Sequence, residues 1–326
     1  MKKLSLVILC SVLAFVLCTA GPAAAASKFP AKPITVICPW SPGGGTDRTA
    51  RFIADLLSKD LGVPVNVVNK TGGGGAVGFS AGANARPDGY TITNLTFEIG
   101  GLKWMGYAPI TPAEFKPLAQ FNEDASAVIV GKDSSYNSVK DLLEDIKAKP
   151  AGTFQFSGCA IGTVWDLARI GMMNHYGVDP NQVKFIPTKG AAPAVTELMG
   201  GHVDVITCSY PEASAQIEAG NLKALAIMAP ARNPQFNDVP TLKEQGIDWA
   251  YGTWRGYAVP KNTPDEVAEV LIKSYEKIFA SQEYLDFMNK NGFGIKLRLG
   301  QEFGDFMMQQ HKDLESIIKL AGYGKK

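Results

Sequence analysis

Cys38-Pro-Trp-Ser-Pro-Gly-Gly-Gly-Thr-Asp-Arg-Thr-Ala-Arg51 is the stretch on which the reading of this chain turns. The apolar run Ile34-Thr-Val-Ile-Cys38 enters it, and a helical pattern beginning near Thr46 or Asp47 leaves it. A strand that stops in a glycine loop at a helix N-terminus gathers unpaired backbone N–H groups around one point, which is a place for an anion. Arg48 and Arg51 follow, one helical turn apart, where each either serves the anion or faces water. Asp47 either caps its own helix or holds a ligand's amine; beside a purely anionic ligand the cap is the better role, since a carboxylate repels it.

Downstream of the loop, Ala50, Ile53, Ala54, Leu57 and Leu61 recur with a helical period until Gly62 and Pro64 end it, and Val65-Asn-Val-Val68 is a short strand. Strand, loop, helix, strand is the repeating unit of a parallel sheet covered by helices. Gly72 to Gly75 form a second close-approach loop or a plain surface turn, followed by a small-residue helix and the strand Tyr90-Thr-Ile-Thr93. Residues 94 to 125 carry no clear period, and Ala127-Val-Ile-Val130 resumes a strand pattern.

Gly152-Thr-Phe-Gln-Phe156 then runs into Ser157-Gly-Cys-Ala-Ile-Gly-Thr163 and a helix from Val164 to His175, repeating the opening design. Two such loops in different halves predict a cleft with one wall from each. Helices are also expected over 139–146, 191–199, 213–218, 264–279, 283–290 and 301–320, and strands over 183–186, 203–206, 222–228 and 253–259. The mixed order predicts an α/β fold of two domains, each a mainly parallel sheet flanked by helices.

Composition narrows the function. With 46% hydrophobic and 19% charged residues in 326, the chain is a folded protein large enough for two compact domains. Met1-Lys-Lys, the apolar run Leu4 to Leu17 and Ala23-Ala-Ala-Ala26 form a basic, an apolar and a cleavage region, so residues 1–26 are expected to be a signal peptide that is removed. Leu17 directly before Cys18 is a poor fit to lipidation. Losing Lys2 and Lys3 takes the formal charge from +1 to −1, which gives no support for nucleic-acid binding. No later stretch reaches the roughly 18 apolar residues a membrane helix needs. Cys38, Cys159 and Cys208 remain, an odd number at wide spacing; buried free thiols are the first expectation and a Cys159–Cys208 bridge the alternative.

Catalytic signatures are thin. Gly73-Gly-Gly-Ala-Val-Gly78 matches a dinucleotide fingerprint without its acidic partner, and Ser274-Tyr-Glu-Lys277 matches a serine-enzyme motif without its companions. No G-x-x-x-x-G-K-[ST] or G-x-S-x-G run occurs. His175, His202 and His311 lack metal-ligand spacing and read as surface or helix-end groups. Cys159 as a nucleophile with His202 as its base is the one enzymatic alternative. Trp40, Tyr210 and Trp254 either close over a ligand or pack into core and surface. The chain offers placed hydrogen-bond donors and little to break bonds with.

Taken together, Phe29-Pro-Ala-Lys-Pro-Ile-Thr-Val36, Pro39-Trp-Ser-Pro-Gly-Gly-Gly-Thr-Asp47, Asn69 to Gly78, Arg86-Pro-Asp-Gly-Tyr90, Lys189-Gly190, Gly200-Gly-His-Val-Asp204, Leu222-Lys-Ala-Leu-Ala-Ile227, Arg232, Val239-Pro-Thr-Leu-Lys-Glu-Gln-Gly246 and Trp254 resemble the substrate-binding receptors of tripartite tricarboxylate transporters, the TctC-like or Bug family. The resemblance covers essentially the whole chain after the signal. It implies a two-domain Venus-flytrap receptor in the periplasm, which passes a small organic carboxylate to one large and one small membrane subunit. It implies no enzyme activity, no cofactor, no metal and no nucleic acid, and we expect a monomer.

By the same resemblance, Trp40, Ser41, Pro42, Gly43, Gly44, Gly45, Thr46 and Asp47 form one loop around the carboxylate. Ser157, Gly158, Cys159, Ala160, Ile161, Gly162 and Thr163 form the other. Lys189, Gly190 and Ala191 border the cleft, Gly74 lies close to it, and Tyr210 and Trp254 complete the expected set. The expected domains are 27–125 with 250–326, and 126–249. Three departures are notable: Cys159-Ala-Ile161 is apolar where small or hydroxyl residues are usual, Trp40 replaces Phe or Tyr, and Arg255 follows Trp254. A wider aromatic surface and an extra cation favour an aromatic acid or a dicarboxylate over citrate. A receptor feeding a sensor, and a hydrolase using Cys159, are the alternative readings.

Overall fold

The structure, a computed structural model, describes residues 29–324, so the expected signal peptide lies outside the described residues. β1 (Ile34–Cys38) is buried along nearly its whole length and pairs in parallel with β2 (Val65–Asn69) on one side and β3 (Thr91–Thr96) on the other. A strand covered on both faces needs apolar residues at consecutive positions, as this one has. α1 (Gly45–Leu61) returns over the sheet on Ala50, Ile53, Ala54 and Leu57. It stops at Gly62, whose φ of 70° lets its N–H reach back to Ser58. α2 (Ala76–Ala83) joins β2 to β3.

The stretch that lacked a sequence period holds the first part of the longest strand among the described residues, β4 (Phe115–Gly131), whose later part includes the expected strand at 127–130. From Phe115 to Ala125 it pairs antiparallel with the later strand β9 (Gly252–Pro260), which also pairs antiparallel with β3. From Ser126 to Gly131 it changes partners and pairs antiparallel with β7 (Val205–Ser209) and β8 (Leu222–Ile227). β5 (Gln155–Ser157) pairs in parallel with β7 and with β6 (Lys184–Ile186), completing this second part of the sheet. β10 (Ile295–Leu299) pairs antiparallel with the first part of β4. The α/β class is as expected, but the sheet is mixed: β4 and β9 run against their neighbours where mainly parallel sheets were expected.

The remaining helices are α3 (Val139–Ala148), α4 (Val164–Tyr176), α5 (Ala191–Met199), α6 (Tyr210–Glu218), α7 (Asp265–Phe279), α8 (Gln282–Lys290) and α9 (Gly300–Leu320). α7 and α9 pack on β4. One core gathers Phe79, Leu95, Ile99, Trp254 and Phe303 with Ile129, Leu167, Leu198 and Ile206. A second lies within the other part of the sheet, on Val128, Leu142, Ile146, Phe156, Met172 and Val205. No helix among the described residues is long and apolar enough to cross a membrane.

Cys38, Cys159 and Cys208 are buried free thiols, which removes the bridge alternative. A chain beginning at residue 27 is therefore expected to titrate three thiols when unfolded without reductant and none rapidly when native; a count of one would contradict the structure. His311 also departs from expectation. It is 8% exposed, shares a 2.6 Å hydrogen bond with the Gly100 carbonyl and stacks on Trp104.

Candidate functional site

Three helices begin around one small cavity, and none of them is capped by the side chain of the residue before it. α1 starts after Gly44, α4 after Thr163 and α5 after Gly190. Helix starts leave backbone N–H groups without intrahelical acceptors, and their partial positive charge favours an anion. The cavity is about 20 Å³, room for about one water-sized group. Its lining combines Trp40, Ser41, Gly44, Gly45 and Thr46 from the first loop, Cys159 from the second, and Gly190 and Ala191 from the third. Thr96, Glu98, Val164, Trp165, Glu212, Thr253 and Arg255 complete it.

The first loop is held by its own residues. Asp47 is 3% exposed. It accepts from the Gly43 N–H at 2.9 Å, from Asn69 Nδ2 at 2.8 Å and from Arg51 Nε at 3.0 Å. Although burial works against its charge, the Arg51, Gly43 and Asn69 hydrogen bonds hold its carboxyl below the ordinary aspartate value. Its role is to shape the turn. Arg48, the other nearby cation, donates to the Pro211 carbonyl at 3.0 Å and to Asn291 Oδ1 at 2.5 Å, so it acts as a strut to α6. Trp40 Nε1 donates to Thr96 Oγ1 at 3.1 Å, and Thr96 Oγ1 donates to Glu98 Oε2 at 2.5 Å. Gly43 and Pro42 form the exposed lip.

The second loop is knitted more tightly than the first. Ser157 Oγ donates to the Ile186 carbonyl at 2.7 Å, and Gly158 leaves no room for a Cβ, which would meet the Thr207 carbonyl at 2.5 Å. Gly162 N–H donates to Asp166 at 2.9 Å, Thr163 Oγ1 contacts the Cys159 thiol, and the Val164 N–H points to Glu98 Oε1 at 3.4 Å. Ala160 is half-buried, while Ile161 is exposed and its carbonyl accepts from Tyr107 at 2.8 Å. Gly162 and Thr163 line a neighbouring cavity of about 10 Å³ that shares Glu98. Burial, then the nearby Glu98 charge, pushes the Cys159 thiol well up, and His202 lies exposed in the turn after α5. This is a packing thiol; a nucleophile needs the reverse shift.

Between the first loop and the third, Ser41 Oγ donates to the Lys189 carbonyl at 3.0 Å; the Lys189 side chain itself is exposed. Gly74 packs beside Tyr107 and the Thr163 methyl, outside the main cavity. Two expected lid residues lie elsewhere. Tyr210 stacks on Phe236 at 3.9 Å between ring centres, drawn there by an apolar partner. Trp254 is 2% exposed and meets Phe303 and Phe306 edge-on, because alternation along β9 turns it away from the cavity that Thr253 and Arg255 line.

Arg255 corrects another expectation. It is 1% exposed and its charge is already matched: Nη1 reaches Asp124 and Asn122, Nη2 reaches Glu212 at 3.1 Å, and Nε donates to Thr46 Oγ1 at 3.0 Å. It is a buried tie and no spare cation for a ligand. Glu98, Glu212 and Thr96 were missed in the sequence. The available signal was Glu98 alone among the apolar residues that follow β3.

Known proteins are similar to this chain over nearly its whole described length. The model of the tripartite tricarboxylate transporter family receptor matches residues 49–323. Protein BugT of Bordetella pertussis is 30% identical over 321 residues, covering 96% of this chain and 97% of that one. Among solved structures, a TctC solute-binding protein from Polaromonas with no ligand is 36% identical, with 90% and 99% covered and a TM-score of 0.65. An R. palustris protein solved with adipate is 25% identical, with 91% and 99% covered and a TM-score of 0.84. These solved neighbours carry the same mixed α/β binding-protein fold, and the chain belongs to the tripartite tricarboxylate transporter receptor family.

Proposed function

We propose that this protein is a periplasmic receptor that binds a small organic carboxylate between two lobes and delivers it to the large and small membrane subunits of a tripartite transporter. The observation that carries the reading is the convergence of three uncapped helix starts on one buried cavity. Preorganised N–H donors grip a carboxylate without a matching cation, because their orientation cost is already met by the fold. Trp40 to Asp47, Ser157 to Thr163 and Lys189 to Ala191 supply the walls, and Glu98 and Trp165 join them.

The lobes we propose are 27–125 with 250–326, and 126–249. The change of partners in β4 between Ala125 and Ser126 supports one crossing, and the start of β9 at Gly252 supports the other. A cavity of about 20 Å³ holds about one water-sized group, so an organic acid requires the lobes to part for entry and to close around it less fully than they do here. The better superposition on the adipate-bound relative than on the more similar ligand-free one supports a closed arrangement here. Export by residues 1–26 would put the receptor where its ligand arrives.

Ligand choice follows from charge. Glu98 and Glu212 line the cavity and Arg255 is already paired, so a compact polyanion such as citrate meets net repulsion. An acid with one carboxylate at the helix starts and an aromatic or extended body toward Trp40 and Trp165 fits better. Native purification followed by mass spectrometry is expected to find a bound monocarboxylic aromatic or a dicarboxylic acid. Calorimetry with benzoate, adipate and citrate should place citrate last; citrate binding best would overturn the preference, and no acid binding would overturn the receptor reading.

A further inference from the structure

Among the described residues, Glu98 is the one acidic group lining the cavity with no cation of its own. It follows β3, is 4% exposed, and lines the same space as the loop starts at Gly44 and Gly190. Its Oε2 accepts from Thr96, its Oε1 has the long 3.4 Å contact to the Val164 N–H, and its own backbone N–H also bonds the carboxyl. Arg255, the cation within reach, is committed to Asp124 and Glu212.

The other titratable groups around it come from every element packed against the site. They are Cys159 in the second loop, Glu212 on α6, Arg255 on β9, Tyr251 just before β9, Tyr107 at the adjoining cavity, and His311 on α9 beneath Gly100. Among these, Arg255 is the group that brings positive charge near the carboxyl, and His311 is turned to the Gly100 carbonyl.

Two carboxylates in one desolvated cavity cannot both stay ionised without a cation between them. From this, and resting on the carboxylate reading above, we infer that the ligand is bound together with one proton, carried on Glu98 Oε1 and donated to the ligand carboxylate. The proton comes from solvent on binding and returns to it on release. Burial already holds the Glu98 carboxyl above the ordinary glutamate value, with hydrogen bonds from Thr96, its own backbone N–H and Val164 and the Arg255 charge offsetting this only in part. A second carboxylate would raise it further.

The sign is fixed by linkage. A group protonated more fully in the complex than in the free receptor makes affinity fall as pH rises, with a limit of about tenfold per pH unit for one proton. Titration calorimetry of the wild-type protein with benzoate and adipate, in two buffers of different protonation enthalpy between about pH 6 and 8.5, should show fractional to full uptake of one proton and the matching loss of affinity. Glu98→Gln keeps the shape and donates permanently, so it should bind with a flat pH profile, no proton uptake and the tighter affinity above about pH 7.5.

Wild-type binding that is independent of pH over this range, without proton uptake, would overturn the inference while leaving the receptor reading standing. So would a folded Glu98→Gln that loses benzoate and adipate binding at every pH, since Glu98 would then be required as an anion and not as a proton donor. Failure of all the acids to bind would instead remove the carboxylate reading, and the inference with it.

Discussion

Gly44→Asp is expected to fold with a melting temperature at or slightly above that of the wild type and to lose carboxylate affinity by about 100-fold or more, near 3 kcal/mol. Gly44 is the residue before α1, with φ −71° and ψ 170°, backbone that any residue adopts and that aspartate uses as a helix cap. A Cβ there meets only ordinary contacts, the Ser41 carbonyl at 3.5 Å and Ala192 at 4.0 Å. The new carboxylate would accept from the free N–H groups of α1 and approach the start of α5 through the Ala192 N–H. A ligand would then find the donors taken and a like charge in place.

Capping gains only a few tenths of a kcal/mol over glycine, so the two effects separate cleanly in thermal melts and calorimetry. Gly44→Asn, which caps without charge, should lose less affinity. A folded Gly44→Asp that binds within threefold of the wild type would remove this loop from the site.

That glycine was legible because the physics is local. A strand, a glycine turn and a helical period sit together between Ile34 and Leu61, and α1 and α5 emerge in the structure close to where the periodicity puts them. The first part of β4 was not legible, because its polar residues Gln120, Asn122 and Asp124 are buried against partners brought from β9 and β10, which erases the alternation that a one-sided strand would show. The same holds for the site. The backbone donors announce themselves through glycine, whereas Glu98 gains its meaning from Val164 and the paired state of Arg255, both distant in sequence. Trp254 and Arg255 were visible as residues, yet which of them faces the cavity is decided by the register of β9 on β3 and β4.

Arg255→Met is expected to cost about 3–5 kcal/mol of folding stability, the largest loss we foresee, because it leaves Asp124 and Glu212 buried without their cation. Both carboxylates are nearly inaccessible, with side chains 3% and 6% exposed. Arg255→Lys should recover only part of this, since one ammonium cannot reach Thr46, Asn122, Asp124 and Glu212 together as the guanidinium fork does. Gly45 marks how closely the network is packed, as a Cβ there would stand 2.8 Å from both Arg255 Nη2 and Glu212 Cγ.

The pH dependence gives a separate check. Burial already holds the Glu212 carboxyl above its ordinary 4.5, with the Arg255 charge opposing the rise. Without Arg255 the folded value climbs further, so the neutral form is favoured. Stability from a raised carboxyl is complete below its unfolded value and is lost as pH rises through the folded one. The Arg255→Met protein should therefore be more stable near pH 5 than near pH 8, measured by urea unfolding at both. A loss below about 1 kcal/mol at pH 8, or no gain on acidification, would mean that the pair is solvated. In that case the contact from β9 to α6 would belong to the moving faces of the cleft, and Arg255 would be free to meet a ligand after all.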